Sequence, residues 1–148
     1  MDEARFLDLL DNLCRRPAMF TGERTVSSVA AFLTGYYIGV SHAGPGSGPP
    51  GRSPHGQWGR WVEMRYDVFD PAWSWSRILL HHHGDDQRVF EVLPALFRQF
   101  LADRDAHGAE GLAARHHEQF ADRCPAPGRT HTAPPLLSPA RSVGSPTW

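Results

Sequence analysis

The residues with the most evident potential for chemistry are histidines, nine in all, of which three are consecutive at 81–83. Two acidic residues follow at 85 and 86, and two further histidines stand at 116–117. Imidazole and carboxylate groups are ligands for zinc and other divalent metals. The candidate ligands are His81, His83, Asp85 and His117. Together they would indicate a metal-dependent enzyme.

The spacing of these histidines is nevertheless unlike that of known metal motifs. Consecutive residues of a helix or strand point in different directions, whereas metal motifs place two histidines on one helix face by a four-residue step. His82 and Asp86 have that step, but Gly84 between them is expected to end the helix. Histidines in a last turn also suit the negative end of the helix dipole. We therefore predict no cofactor and keep the metal-dependent enzyme as the alternative function.

Cysteine offers little further chemistry. Cys14 and Cys124 are far apart, and a secreted disulfide scaffold would contain more cysteine. Arg15 and Arg16 favour a thiolate at Cys14, but a position near the end of the first predicted helix disfavours one. We expect a free structural cysteine there. The sequence carries no GxSxG, P-loop or CxxC pattern.

Charge and hydropathy exclude several classes of partner. Fifteen basic residues, all arginine, balance sixteen acidic ones, so a nucleic-acid binder with a basic surface is not expected. The N-terminus is acidic, where a secretory signal would be basic. The apolar stretch 26–40 falls short of the roughly 20 residues that a membrane span needs. We predict a cytoplasmic protein with no membrane partner.

The elements that must position these residues show mostly the three- and four-residue spacing of apolar side chains that is typical of helices. The fold class is therefore predicted to be mainly α, a compact single-domain bundle of about five helices. Expected helices cover 2–14, 25–41, a short apolar segment after Pro71, 85–103 and 109–122. The segment 61–68 is ambiguous. Its spacing favours a helix through Arg65, but its alternation of apolar and polar residues permits one short strand.

Glycine and proline mark the rest of the chain. The residues 17–22 are predicted to be a loop, and 43–56 a flexible Gly/Pro-rich loop. The globular domain is expected to span 1–123, followed by a disordered proline-rich tail at 124–148.

The second predicted helix, 25–41, is free of charge, which predicts a central position. Small residues recur along it at four-residue steps, and we expect another helix to pack closely against that stripe. They are Ser27, Ala31, Gly35 and Gly39. A further hypothesis is an obligate oligomer joined through this helix.

The segments 16–22 (RPAMFTG) and 29–36 (VAAFLTGY) resemble a family of small uncharacterised actinobacterial proteins with an RPxMF/YxG…FxxGY motif. A tryptophan-containing segment similar to 61–62 and a helix similar to 89–97 follow in that family, and the resemblance spans 4–122. The Gly/Pro-rich loop and the tail depart from the pattern. The resemblance implies a compact helical fold and, loosely, a toxin-immunity kind of protein that works by binding a partner.

These patterns lead us to predict a non-catalytic binding protein, of the immunity-inhibitor type, whose partner is another protein. Aromatic residues and arginine dominate interface hot spots. The predicted partner-binding residues are Arg16, Met19, Phe20, Trp58 and Trp61.

Overall fold

The computed structural model describes residues 3–43 and 54–123, which fold into a compact helical bundle. Its helices are α1 (Glu3–Arg15), α2 (Pro17–Thr21), α3 (Val26–Ala43), α4 (Pro54–Tyr66), α5 (Trp75–His83) and α6 (Asp86–Phe120). The described residues contain no strand, so the predicted mainly helical class is confirmed. The predicted tail at 124–148 lies outside the described residues. So does the predicted loop at 43–56, except that its two ends belong to α3 and α4.

The ambiguous segment 61–68 is helical as far as Tyr66, and no strand forms there. Trp58, Trp61 and Val62 occur at the i, i+3, i+4 spacing of one helix face, and all three are buried. The alternating residues Met64 and Tyr66 are only half-buried. The segment is therefore a helix and not a strand, because the helical spacing buries both tryptophans on one face.

The predicted loop at 17–22 is wrong, since residues 17–21 form the short helix α2. Pro17 occupies its first turn, where the fixed φ of proline suits a helix and no hydrogen-bond donor is lost. Gly22 then ends the helix in the left-handed conformation, with φ of 79°. A proline at the start and a glycine just past the end thus allow one helical turn in a segment whose sequence predicts a loop.

The last two predicted helices form one element, α6, that is interrupted at Gly108. The φ of 67° and ψ of 169° at Gly108 are compatible with glycine and strained for other residues. We call residues 86–107 and 109–120 the first and second arms of α6. The first arm begins at Asp85, whose carboxylate accepts a 2.8 Å hydrogen bond from the backbone N–H of Arg88.

The break at Gly108 redirects the chain, because both arms contact α4. Trp58 lies against Phe97 of the first arm, and Glu63 contacts His116 of the second. A straight helix would separate Phe97 from His116 by about 28 Å, although the residues they contact are only about 8 Å apart along α4. The two arms and α4 therefore meet around the break.

The core is centred on the first arm of α6. The ring of Phe97 packs against Phe6 of α1 at 4.9 Å and against Trp58 of α4 at 5.1 Å, measured between centroids. Trp58 in turn stacks on Trp61 at 5.5 Å. Burying one such aromatic side chain contributes about 2–3 kcal/mol, so this cluster is a main source of stability.

The stripe of small residues on α3 is exposed, contrary to the prediction that another helix packs against it. Val26, Val29 and Leu33 face the core, and all four small residues of the stripe lie on the opposite, solvent-facing side. Among the described residues, and apart from the neighbouring residues and backbone of α3 itself, no atom lies within 4 Å of the position that a Cβ would occupy at Gly35 or Gly39. The absence of charge on α3 is thus not a sign of complete burial.

No helix in the described ranges combines the length and the hydrophobicity that crossing a bilayer requires.

Candidate functional site

The residues predicted to bind a partner fall into two groups. Met19 is 73% exposed and Phe20 is 40% exposed on α2, and Arg16 directly before this helix is also exposed. Trp58 and Trp61 are buried, at 3% and 4% exposure. The structure therefore corrects the prediction for the two tryptophans: they belong to the core, and only the first group is available to a partner.

The short helix α2 is held in place by polar contacts at its end. The Thr21 hydroxyl lies 2.8 Å from the carbonyl oxygen of Glu23 and 3.2 Å from the hydroxyl of Ser28 on α3. Pro17 is buried beneath it. Because both ends of this turn are fixed, Met19 and Phe20 are presented on an ordered backbone.

Phe20 continues the exposed apolar area onto α3. Its ring meets that of Phe32 edge-on, with 6.1 Å between centroids. Gly35 follows Phe32 at a three-residue step, which places it on the adjoining face, and it is exposed. We call Met19, Phe20, Phe32 and Gly35 the α2–α3 surface. None of these four residues is charged, and Arg16 directly precedes α2.

The histidines at 81–83 form the last turn of α5, which Gly84 ends as expected. The Nε2 atom of His83 lies 2.8 Å from the hydroxyl of Tyr66. The His82 ring packs on the same tyrosine at 4.6 Å, and the His81 ring packs on Trp73 at 5.1 Å. The three imidazoles thus contact aromatic side chains of α4 and of the segment before α5.

The second pair of histidines lies on the second arm of α6. The Nε2 atom of His116 is 2.6 Å from Oε2 of Glu63, and its ring packs against Phe120. His117 is exposed. Throughout 3–43 and 54–123, no three His, Cys, Asp or Glu side chains are placed to hold a metal ion together. The structure does not bring the four candidate ligands together, and the metal-dependent alternative stays a prediction.

Cys14 is a free and buried thiol, as expected for a structural residue. Burial raises its pKa to about 12, and the nearby carboxylate of Asp11 acts in the same direction. A thiol with such a pKa carries almost no thiolate at neutral pH, so Cys14 is poorly suited to be a nucleophile.

A cleft of about 250 Å³ lies between α4 and the two arms of α6. Sequence reasoning missed it, because its lining residues are distant along the chain and share no motif. They are Trp61, Met64, Arg65, Asp103, Leu112, Arg115 and Gln119. The one signal in the sequence was Gly108, whose break allows both arms to contribute.

Hydrogen bonds fix the wall of this cleft. The indole N–H of Trp61 donates to Oδ2 of Asp103 at 2.7 Å. The Gln119 amide donates to the carbonyl oxygen of Met64 at 3.1 Å and to Oδ1 of Asp67 at 3.2 Å. These bonds tie α4 to both arms of α6, so the cleft is formed by a braced part of the bundle.

A second set of hydrogen bonds lies next to those of Gln119, at the end of α4. The guanidinium of Arg123 donates to Oδ2 of Asp67 at 3.0 Å and to its backbone carbonyl at 3.1 Å. The bond from Arg123 to the carboxylate, followed by the one from Gln119, lowers the pKa of the Asp67 carboxyl. Asp67 has a positive φ of 52°, a conformation that Asp and Asn adopt more readily than other side chains do.

Comparison with known proteins adds no family to this picture. The chain matches no protein-family model, and no curated protein or solved structure is significantly similar to it. The resemblance to the actinobacterial family stays a prediction.

Proposed function

We propose that this chain is a non-catalytic binding protein that recognises another protein through the α2–α3 surface. The observation that carries the proposal is the exposure of Met19 and Phe20 on an ordered helical turn. Single exposed apolar residues are ordinary, but here two consecutive ones adjoin Phe32 and an uncharged helix face. Such an arrangement is typical of the apolar centre of an interface.

The chemistry of the surface specifies the kind of partner. Arg15 at the end of α1 and Arg16 before α2 are exposed, and neither pairs with a carboxylate of the described residues. An apolar anchor beside two free guanidinium groups suits a partner that offers an apolar pocket with an acidic rim. Since Gly35 has no side chain, the partner can approach the backbone of α3 closely.

The remaining candidates for chemistry support binding over catalysis. Cys14 is buried and its pKa is raised, and the imidazoles at 81–83 pack on aromatic rings. A rigid complementary surface is all that an immunity-type inhibitor needs. The hypothesis of an immunity-type inhibitor is a narrower form of this proposal, in which the partner would be a toxin encoded next to this protein.

The experiment is cross-linking from the proposed surface. Photo-methionine incorporated into the full chain places a reactive group at Met19, and cross-links formed in a lysate of the native host are located by mass spectrometry. We expect one protein to be cross-linked at Met19, and a Phe20→Asp variant, which keeps the photo-methionine at Met19, to lose its capture. Residue-level location is needed because the chain contains three methionines.

Ala114→Asp is the matched control, because Ala114 is an exposed apolar residue on the second arm of α6 and does not belong to the α2–α3 surface. It is expected to keep the partner. Equal capture by wild type, Phe20→Asp and Ala114→Asp would contradict the proposed surface. If the partner is a toxin, co-expression of this chain restores growth, and Met19→Asp abolishes that rescue.

A further inference from the structure

The cleft between α4 and α6 contains more positive than negative charge. Two guanidinium groups, those of Arg65 and Arg115, and one carboxylate, that of Asp103, line it. Within the described residues, neither arginine has a carboxylate oxygen within 4.0 Å, whereas Arg98 pairs with Asp11 at 2.9 Å. The two arginines lie on separate helices, α4 and the second arm of α6, and both border the same cavity.

The single carboxylate of the cleft is already engaged. Oδ2 of Asp103 accepts the 2.7 Å hydrogen bond from the indole of Trp61. That bond holds the carboxylate against Trp61 of α4. The two guanidinium groups therefore keep their donors for a ligand, and a guanidinium binds carboxylate and phosphate oxygens through two parallel hydrogen bonds.

The rest of the lining sets the size and character of a ligand. Leu112 is buried and Met64 is half-buried, and with the Trp61 ring they give the cleft an apolar floor. A cavity of about 250 Å³ is smaller than most sites for drug-sized molecules, which begin at roughly 300 Å³. The Gln119 bonds to Met64 and Asp67 brace the helices that carry the site.

We propose that this cleft binds a small organic anion, whose carboxylate or phosphate group lies between Arg65 and Arg115 and whose short carbon chain rests on Met64 and Leu112. The site is separate from the α2–α3 surface in its residues and in its ligand class. Anion binding in this cleft does not depend on the proposed protein partner, so an experiment can contradict either proposal without contradicting the other.

The test is isothermal titration calorimetry of the full chain with succinate, with inorganic phosphate and with succinamide, the uncharged analogue of succinate. We expect saturable binding of succinate or phosphate and none of succinamide. The stronger of the two anions identifies whether the site prefers a carboxylate or a phosphate group. Failure of both anions to bind at millimolar concentration, or equal binding of succinamide, overturns the proposal.

Two substitutions locate the binding. Arg65→Gln and Arg115→Gln each remove one charge and keep a shorter polar side chain, and each is expected to weaken binding at least about tenfold. Arg60→Gln is the control, because Arg60 is an exposed arginine of α4 that does not line the cleft. Binding that survives both cleft substitutions refutes the site.

Arg65→Lys adds a measurement that is independent of folding defects. It keeps the charge but loses the planar pair of donors, so its affinity should fall between wild type and Arg65→Gln. Circular dichroism melting of each variant shows that the bundle is intact. An Arg65→Lys variant that is folded and binds no more weakly than wild type would also count against the proposed geometry.

Discussion

The indole N–H of Trp61 donates a 2.7 Å hydrogen bond to Oδ2 of Asp103, which joins α4 to the first arm of α6 five residues before the break at Gly108. Trp61 is 4% exposed, so its N–H has little access to water. The bond also closes one side of the cleft. One side-chain pair thus contributes both to the packing of the bundle and to the shape of the proposed anion site.

Replacing Asp103 by Ala should therefore destabilise the fold by about 1–3 kcal/mol, because it leaves the buried Trp61 N–H without an acceptor. Asp103→Asn keeps an oxygen acceptor and should cost less. Urea denaturation followed by circular dichroism measures both. Asp105→Ala is the control, because its side chain is 71% exposed; it should change stability by no more than about 0.5 kcal/mol. Equal effects of Asp103→Ala and Asp105→Ala would contradict the role of the bond.

Gly108→Ala should destabilise the protein by about 1–3 kcal/mol, because the backbone conformation at the break is strained for any residue with a Cβ. Gly35→Ala is the contrasting substitution. It lies in a regular part of α3 with open space around the new Cβ, and it should stabilise the fold by about 0.5–1 kcal/mol. Thermal unfolding of both variants measures whether their changes in stability have opposite signs. A Gly108→Ala protein at least as stable as wild type would show that the chain does not need the break.

Cys14 should react slowly with iodoacetamide in the native protein. A Cys124→Ser background leaves it as the single thiol, and at pH 8 its pKa of about 12, against an ordinary 9.0, lowers the thiolate fraction on the order of 1,000-fold. Urea should restore the ordinary rate. Rapid alkylation of the folded protein, at a rate like that in urea, would exclude a buried thiol.

The same pKa shift predicts a pH dependence of stability. The pKa of Cys14 is higher in the folded than in the unfolded chain, so its contribution is fully present below pH 9.0 and is lost as the pH rises toward 12. Urea midpoints of Cys124→Ser should therefore fall with rising pH in this window. The decline should be shallower in Cys14→Ala, which lacks the titrating group. Parallel declines in the two proteins would contradict the shift.

Asp67 should titrate below the ordinary value of 3.8, because Arg123 and Gln119 donate hydrogen bonds to its carboxylate. Its stabilising contribution is therefore complete above pH 3.8 and is lost as the pH falls through the lowered pKa. NMR titration of the side-chain carboxyl carbons measures this pKa. Arg123→Gln should raise it toward 3.8, and Arg98→Gln, a change at an exposed arginine that pairs with Asp11 of α1, should leave it unchanged.

The sequence contained enough information for the helices themselves. The spacing of Phe6, Leu9, Leu10 and Leu13 predicted α1; Leu9 is half-buried and the other three are buried. Asp85 or Asp86 was expected at the start of α6, and Asp85 caps that helix. The single turn of α2 was misread, because proline and glycine mark a loop and a short capped helix in the same way.

Which face each helix buries, and against which neighbour, was decided by the tertiary structure. The small-residue stripe of α3 turned out to be exposed, and Trp58 and Trp61 turned out to be core. The cleft brings Arg65 of α4 together with Arg115 of the second arm. Periodicity groups side chains onto one face of a helix. It contains no information on how far apart two helices lie or where a break such as Gly108 directs the chain, and those distances determine a site.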